Sequence, residues 1–434
     1  MSLFEQKTIA EVVDKGKKFP VVDGPFGTQL HADEYVSDGV PVVRVSNLTY
    51  EGRFLPEDLV FITEKKATKL SRSAITQGDL IVAKTGATIG KAALYPYQQG
   101  IVASSCLKAS FDANLADPRF VLYKIISAEG QRKIIEGASG STRTTINITP
   151  FSQIHFSFPP IEHQKKIAEV LTAVDQAITQ TETLIAKYQR IKTGLMQDLL
   201  MQGIDENGNL RDPATHEFKE VEGYGRIPVE WGTGYLNEVI DSFRPIVYGI
   251  LMPGYGYENG IPVIKVKDIF NGKVDSSDLL LTDPKIDQLY KRSRLQTGDL
   301  LFTIRGTVGR MAFVPAELDG ANITQDTARI CVTKAYPLFI RYYLDSFRAK
   351  TFIELHTLGQ AVKGINLGDV RKIPIALPPK VEQERIANAL LVCDDMIKNE
   401  LTNVSKLNKL KTGLMQDLLT GKVSVAPLLE NNRN

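Results

Sequence analysis

The apolar positions of this chain fall into two kinds of run, and the longer kind occurs twice. From Pro159 to Gly203, Ile167, Leu171, Val174, Ile178, Ile185, Tyr188, Leu195 and Leu199 recur at steps that fit alternating three and four. From Pro378 to Gly421, Ile386, Leu390, Cys393, Ile397, Val404, Leu407, Leu414 and Leu418 do the same. This spacing draws one apolar seam along a helix, interrupted here at Thr181, Lys192, Glu400 and Lys411. The Pro-Pro pair ahead of each run suits a helix start, because proline lacks only a donor that would be unpaired there. Gly203 and Gly421 suit helix ends. Some 40 residues at 1.5 Å each predict rods of about 60 Å. A seam cannot be buried alone, and the nearest partner for each is the other, so the pattern predicts an antiparallel coiled coil with a globular domain at each end.

The two long runs are copies. Lys192-Thr193-Gly194-Leu195-Met196-Gln197-Asp198-Leu199-Leu200 returns letter for letter as Lys411 to Leu419, 219 residues further on. Followed backwards without a gap, Gln164 meets Gln383, Ile167-Ala168 meets Ile386-Ala387, and Asp175 meets Asp394; 19 of the 42 aligned positions are identical. Two copies are too few for a solenoid and predict a duplicated unit with a pseudo-twofold axis. Gly194 and Gly413 lie inside the helices, where glycine costs about 1 kcal/mol relative to alanine; their presence in both copies predicts close backbone approach to a partner.

The shorter apolar runs read as strands. Residues 1–158 form a first domain, in which Val40-Pro41-Val42-Val43-Arg44-Val45 and Gly78-Asp79-Leu80-Ile81-Val82-Ala83-Lys84 are turn-bounded buried strands. A helix is predicted over Phe120–Glu136, then a polar loop, Gly140-Ser141-Thr142-Arg143-Thr144-Thr145. After the first helix (159–203), residues 204–228 are polar and glycine-rich and read as a linker. Residues 229–377 repeat the first domain more loosely. Ile261-Pro262-Val263-Ile264-Lys265-Val266 echoes the Val40 strand, Gly298-Asp299-Leu300 echoes Gly78-Asp79-Leu80, Gly309-Arg310 echoes Gly90-Lys91, and Ile365-Asn366 echoes Ile146-Asn147. The second helix covers 378–421 and a polar tail 422–434. The class is α+β, with two mixed domains joined by the long helices. Framework strands match while loops diverge, which suits one scaffold carrying two different readings.

Composition narrows the function. The apolar share of 43% and charged share of 24% are ordinary, and a net charge of +2 leaves no general basic coat, so any nucleic-acid-binding charge is local. Cys106, Cys331 and Cys393 make neither a disulfide framework nor a zinc spacing and fit a reducing cytoplasm. Neither a signal peptide at the start nor an apolar run near the ~18 residues of a membrane span is read. Gly86-Ala87-Thr88-Ile89-Gly90-Lys91-Ala92 is one residue short of a phosphate loop and puts Ala92 where a hydroxyl should hold magnesium. No Gly-x-Gly-x-x-Gly follows a strand, and the five histidines form no metal pair. Asp79 and Asp299 lie in Gly-Asp-Leu turns, where Asp bonds backbone. No self-sufficient active site is legible.

A local basic signal is present in both domains. Lys65, Lys66, Lys69 and Arg72 cluster in the first; Lys285, Lys291, Arg292 and Arg294 take a comparable place in the second. Lys84 with Thr85, and Arg305 with Thr303, stand at corresponding loop edges in the two domains, Lys91 and Arg310 follow loop glycines, and Arg143 and Lys363 precede the Ile-Asn pairs. Bidentate Arg reads guanine edges while Lys mostly meets phosphate. Tyr248, Tyr255 and Tyr257 add planar surfaces.

At this point the chain resembles the specificity subunit of Type I restriction-modification enzymes. The resemblance rests on two variable domains, each followed by a helix that opens Pro-Pro-x-x-x-Gln-x-x-Ile-Ala and ends Lys-Thr-Gly-Leu-Met-Gln-Asp-Leu-Leu, on Gly-Pro-Phe-Gly-Thr at 24–28, and on Ile227-Pro228-Val229-Glu230-Trp231 opening the second half. The first half opens differently, with Phe4-Glu5-Gln6-Lys7 and no Pro-x-x-Trp. The resemblance implies two target recognition domains, each reading one half of a bipartite, asymmetric double-stranded DNA site, with helices that set the spacing. It implies no catalysis and no cofactor in this chain. S-adenosylmethionine, ATP and magnesium are expected on partners: two modification (methyltransferase) subunits and two restriction (nuclease/translocase) subunits. Two identical partners need two equivalent surfaces, so Gln164, Lys187, Gln197 and Asp198, with Gln383, Lys406, Gln416 and Asp417, are expected to dock them. Two other readings stay open, a coiled-coil scaffold whose end domains bind proteins and a fused enzyme, the latter disfavoured by the missing cofactor motifs.

Overall fold

The computed structural model describes residues 4–25, 29–140, 144–360 and 362–430. It divides into two compact units: residues 1–182 with 402–434, and residues 183–401. Both long helices pass from one unit into the other, so each unit holds one domain, one half of each helix and an apolar core of its own.

In the first unit, β1 (Glu5–Thr8) leads into the short α1 (Ile9–Val12), capped by the Thr8 hydroxyl and closed by Glu11 reaching back to the Thr8 amide. Strands β2 (Val21–Asp23), β3 (Val40–Val43) and β4 (Val60–Ile62) precede helix α2 (Glu64–Lys69). Then follow β5 (Ala74–Ile75), β6 (Leu80–Ala83), β7 (Ala92–Leu94), β8 (Gly100–Val102) and β9 (Cys106–Ala109). Two four-stranded sheets result, β2-β9-β6-β7 and β4-β3-β8-β5; in the second, β3 and β8 pair parallel, Val42 against Ile101. The unbroken apolar run Leu80-Ile81-Val82-Ala83 is buried at every position because β6 is a central strand. The predicted single helix over 120–136 is two, α3 (Pro118–Ile126) and α4 (Ala128–Glu136). Ser127 is extended between them and its hydroxyl caps α4. Helix α5 (Ile148–Ser152) and β10 (His155–Phe158), paired antiparallel with β1, bring the chain to α6 (Ile161–Met201).

The second unit repeats this plan. Residues 204–228 do not form a bare linker: β11 (Phe218–Val221) and β12 (Gly225–Pro228) make a hairpin. Then come β13 (Gly232–Tyr235), β14 (Val247–Tyr248), β15 (Ile261–Ile264), β16 (Ile269–Phe270), β17 (Lys273–Val274), β18 (Leu280–Thr282), α7 (Pro284–Leu289), β19 (Leu300–Thr303), β20 (Met311–Phe313), β21 (Asn322–Ile323) and β22 (Thr327–Ile330). Sheet β14-β22-β19-β20 corresponds to β2-β9-β6-β7, with Leu300–Thr303 as its buried centre. Helices α8 (Pro337–Leu344), α9 (Phe347–Leu355) and α10 (Leu367–Arg371) precede β23 (Pro374–Leu377), which pairs with β13 as β10 pairs with β1. Helix α11 (Lys380–Leu419) and the short α12 (Ala426–Glu430) complete the described chain. Among the described residues no helix is long and apolar enough to cross a membrane.

The seams are buried at their ends, each within its unit, while Tyr188, Ile397, Val404 and Leu407 further along are half-buried. Ile167, Ala168 and Leu171 of α6 share the first core with Leu418, Leu419 and Val425, while Ile386, Ala387 and Leu390 of α11 share the second with Leu199, Leu200 and Ile204. The lysines that interrupt the seams fix the register. Lys411 lies 2.7 Å from Asp175 of the opposing helix, and the Tyr123 hydroxyl donates to the same carboxylate at 2.7 Å. Lys192 lies 2.5 Å from Asp394, and Tyr342 donates to it at 2.6 Å. Each ammonium also sits near its tyrosine ring, at 5.7 and 5.5 Å from the centroid.

The helix ends are tied equally firmly. Gly203 and Gly421 take φ of +69° and +75°, the left-handed caps that glycine supplies without strain. A Cβ at Gly203 would fall 2.6 Å from the Trp231 ring, and one at Gly421 2.5 Å from the Phe4 ring. Phe4 therefore stands where Trp231 does, which accounts for the different opening of the first half. Glu382, buried, accepts from the Ile204 amide at 3.0 Å, the Trp231 indole at 3.2 Å and both ends of the Arg211 guanidinium. Lys124 donates to the Leu419 carbonyl at 2.7 Å, and burial pushes its pKa down to about 8. Gly194 and Gly413 depart from expectation. Both are exposed and a Cβ on either would meet nothing within 4 Å; nothing in the structure explains them.

Burial works to raise the Asp394 carboxyl, but its bonds to Lys192 and Tyr342 and the nearby Arg341 charge outweigh it and hold the pKa below the usual value. A depressed carboxyl stabilises the fold above its unfolded pKa near 3.9, and that contribution is lost as pH falls through the folded value. Asp394→Asn should therefore lower stability by about 1 kcal/mol at neutral pH, discounted because the pair is still partly solvated. The gap from the unmodified chain should close as pH drops below the ordinary carboxylate range. Denaturation curves at neutral and acid pH check both statements, and a gap that persists in acid would remove the ion pair as its cause.

Candidate nucleic-acid interface

The candidate contacts gather at one edge of the central sheet of each domain, where β6 or β19 runs out. Strand alternation decides which side chains face out. Aligned through Asp79 and Asp299, and through Gly86 and Gly306, Lys84 corresponds to Ile304 and Thr85 to Arg305. Lys84 and Ile304 point inward, both at 4% exposure, while Thr85 is half-buried and Arg305 exposed. Lys84 and Arg305 are thus not equivalent, and Lys84 is withdrawn from the surface. Its ammonium lies 2.7 Å from Asp23, itself buried, where the pair ties β2 to the end of β6. Thr303 is also withdrawn: fully buried, it donates to the Thr307 carbonyl at 2.5 Å and accepts from the Arg310 amide at 2.8 Å.

Three further segments reach the same edge. In the second domain, Leu358 and Gly364 exchange paired backbone bonds of 2.8 Å, and the Gly306 amide donates to the Lys363 carbonyl at 2.9 Å. Exposed Lys363 is thereby set next to exposed Arg305. The segment 324–326 lies alongside, since the Asp326 carbonyl accepts from the Ile304 and Arg305 amides at 2.8 and 3.3 Å. The loop after β14 starts there, with the Gln325 amide donating to the Ile250 carbonyl at 3.0 Å. Gly249 is required at that crossing, because a Cβ would come within 1.8 Å of the Ile323 carbonyl oxygen; Gly24 makes the same approach to Ala103 in the first domain. The first domain repeats the frame, with the Gly86 amide on the Thr144 carbonyl at 2.8 Å and the Lys84 amide on the Ser105 carbonyl at 2.9 Å. Its edge side chains differ: Thr85, Ser104, Ser105 and Thr144 stand where the second domain shows Arg305, Gln325, Asp326 and Lys363. Arg143 lies outside the described residues.

The remaining basic candidates sit around this edge. Lys91 and Arg310 are half-buried over aromatic rings, Tyr50 at 5.6 Å and Phe270 at 5.9 Å, and Arg310 also donates to the Ile269 carbonyl at 3.3 Å. They brace the hairpins. Lys65 and Lys69 are exposed on α2, and exposed Arg72 lies 3.9 Å from Asp23. Lys66 is taken by Glu34. Lys291 and Arg292 are exposed on a helical turn held by buried Arg329, which donates to the Arg292 and Pro245 carbonyls at 2.8 and 3.0 Å. Arg294 is neutralised by Asp287, its Nε donating at 2.6 Å.

The three tyrosines named from the sequence stand out in the structure together with two apolar neighbours that sequence reading missed, Leu251 and Met252. Tyr248, Leu251, Met252, Tyr255 and Tyr257 are all more than 40% exposed within ten residues. The available signal was Ile-Leu-Met-Pro-Gly-Tyr-Gly-Tyr, an apolar run that follows neither strand nor helix period.

Of the expected docking residues, Gln164 and Gln383 face inward. Gln164 accepts from the Asp117 amide at 3.1 Å and donates to the Leu115 and Pro159 carbonyls at 3.0 and 2.8 Å. Gln383 accepts from the Tyr336 amide at 2.8 Å and donates to the Pro378 carbonyl at 2.8 Å. Each glutamine fastens its long helix to the start of α3 or α8, so its identity in both copies has an internal cause. Lys187, Gln197, Lys406 and Gln416 are exposed; Asp198 and Asp417 are half-buried, Asp417 with Lys422 at 3.1 Å.

Asp79 and Asp299 are buried structural acids, Asp79 accepting from the Thr76 amide and Ser110 hydroxyl, and Asp299 from the Gln296 amide and both ends of the Arg244 guanidinium. Burial pushes the Cys106 thiol up to about 12 and leaves it unreactive. Among the described residues no group of three His, Cys, Asp or Glu side chains is placed to hold a metal ion.

Comparison with known proteins agrees with this duplicated plan. The chain is 29% identical over 296 residues to the Type I restriction enzyme EcoBI specificity subunit of Escherichia coli, covering 63% of this chain and 62% of that protein. It is 26% identical over 398 residues to the putative type I restriction enzyme MjaX specificity subunit of Methanocaldococcus jannaschii, covering 89% and 88%. Among solved structures, the fold is similar to the Type-I restriction-modification system S subunit from M. genitalium, with a TM-score of 0.57, 14% identity and 96% of each chain covered. A chain of a type I R-M system solved for its complex assembly and conformational transition gives a TM-score of 0.55, 17% identity, and 96% and 97% coverage. The model of the Type I restriction modification DNA specificity domain matches twice, over residues 1–190 and 228–412, one copy for each domain with its helix, and the chain belongs to that family.

Proposed function

We propose that this chain is the DNA-reading subunit of a Type I restriction-modification assembly, acting in the cytoplasm and carrying no catalytic centre of its own. Each domain reads one half of a bipartite, asymmetric double-stranded DNA site, and the exposed faces of the long helices dock the modification (methyltransferase) and restriction (nuclease/translocase) subunits. S-adenosylmethionine, ATP and magnesium belong to those partners. The observation that carries the reading is the pairing of one backbone frame with two different edges. A hydroxyl-rich edge at Thr85, Ser104, Ser105 and Thr144 and a cationic, aromatic edge at Arg305, Lys363 and Tyr248 suit two different base sequences. A scaffold for proteins would not require two edges built on corresponding strands yet unlike in chemistry.

Arg305 is the side chain most exposed to test. If it meets a base edge, Arg305→Ala should cost about 1–3 kcal/mol on the second half-site and relax selectivity there alone. Equal weakening on every sequence would make it a phosphate contact. Binding titrations against duplexes varied in each half-site distinguish the two.

Docking is tested at the half-buried acids of the two helix faces. Charge reversal at Asp198 and Asp417 together should reduce copurification of the modification subunit while circular dichroism shows unchanged helix content. Unaltered stoichiometry would move the docking surface elsewhere.

A further inference from the structure

The loop Leu251–Tyr257 carries a run of exposed apolar side chains. Its root is fixed: Ile250 is fully buried and its amide donates to the Ile323 carbonyl at 2.7 Å. Its middle is fixed too, since the Thr282 hydroxyl donates to the Pro253 carbonyl at 2.7 Å and the Gly260 amide to the Tyr257 carbonyl at 3.0 Å. Gly254 and Gly256, at φ +84° and +104°, turn the chain between these anchors. The held loop nevertheless presents Leu251 at 50%, Met252 at 77% and Tyr255 fully to solvent. A contiguous exposed apolar patch on an anchored segment marks a surface that is covered in use.

The neighbours say what covers it. The loop root and Arg305 are joined through one stretch of backbone, Gln325 bonding Ile250 and Asp326 bonding Arg305, with Lys363 beside Arg305. Two exposed cations near the root of an apolar loop, outnumbering the half-buried Asp326 carboxylate beside them, suit a polyanion that also offers an apolar feature. Leu251 and Met252 bring no hydrogen-bond donor, so they cannot read the polar groups of a base edge. The apolar feature displayed by base edges in the major groove is the 5-methyl group of thymine, and that groove, about 12 Å wide, admits a loop of this size.

We infer that the Leu251–Tyr257 loop reads thymine 5-methyl groups in the half-site taken by the second domain, with Met252 and Leu251 as the contacting side chains. The inference rests on the reading of that domain as a DNA reader, and it assigns to the loop a share of specificity that the basic residues cannot supply.

The test uses the full-length chain and a randomised duplex library. Selected sequences define the two half-sites, and Arg305→Ala identifies the one belonging to the second domain. Each thymine of that half-site is then replaced by uracil, which removes the methyl and nothing else. At one or more positions the unmodified chain should bind the uracil duplex about fourfold more weakly, the worth of one buried methyl. Met252→Ala or Leu251→Ala should abolish that difference and leave the first half-site's discrimination intact, which also shows that the variants are folded. Indifference to uracil at every thymine of the second half-site would overturn the inference, as would a methyl preference that survives both substitutions. Brightening of 2-aminopurine beside an indifferent thymine would assign the loop instead to wedging between bases. A library from which no sequence is enriched would overturn the DNA reading itself, a result distinct from these.

Discussion

Asp175 against Lys411, and Asp394 against Lys192, are one interaction made twice, and the rest of the molecule depends on where it places the helices. The partners are 2.7 and 2.5 Å apart, each carboxylate also takes a tyrosine hydroxyl, and each ammonium lies near that tyrosine's ring. A purely apolar seam would tolerate a shift of one turn, because another leucine or isoleucine would fill the gap. A charged pair among apolar neighbours does not, since a slipped register leaves two half-buried charges unpaired. The interruptions in the heptad pattern are therefore where the pattern becomes specific. Tyr123 and Tyr342 belong to the domain helices α3 and α8, so the contact that registers the long helices also fixes each domain on them.

Held in this way, each domain can vary at one edge without disturbing the rest. The residues that build the frame are buried and serve it: Lys84 with Asp23, Thr303 with Thr307, Gly24 and Gly249 at their crossings. The residues that face out from the same strands contribute little to either core. The two domains share their hydrogen-bonding frame down to Gly86 on Thr144 and Gly306 on Lys363, and differ in the side chains that frame displays.

The repeat, the two helices, their seams and the Gly-Asp-Leu turns were legible because each is written in local periodicity or in identity between copies. Three features were not. Lys84 was paired with Arg305 one position out of phase, and in a strand one position exchanges inside for outside; its partner Asp23 is 61 residues away and carries no local mark. Gln164 and Gln383 are identical in both copies, which a shared external partner and a shared internal role explain equally well, and only the carbonyls they bond decide between them. The apolar loop after β14 has no periodic pattern, so exposure alone reveals it.

The way the helices cross between units has a consequence for how the chain is made. The core of the first unit takes in Leu418, Leu419 and Val425, and Lys124 finds its acceptor 295 residues downstream at Leu419. At 5–20 residues per second on the ribosome, that acceptor emerges about 15–60 s after the lysine that needs it. The second unit, residues 183–401, is continuous in sequence and waits for nothing beyond its own end. The domain synthesised first is thus the last whose core can close, and until the final turn of α11 arrives it offers the cell an open apolar face.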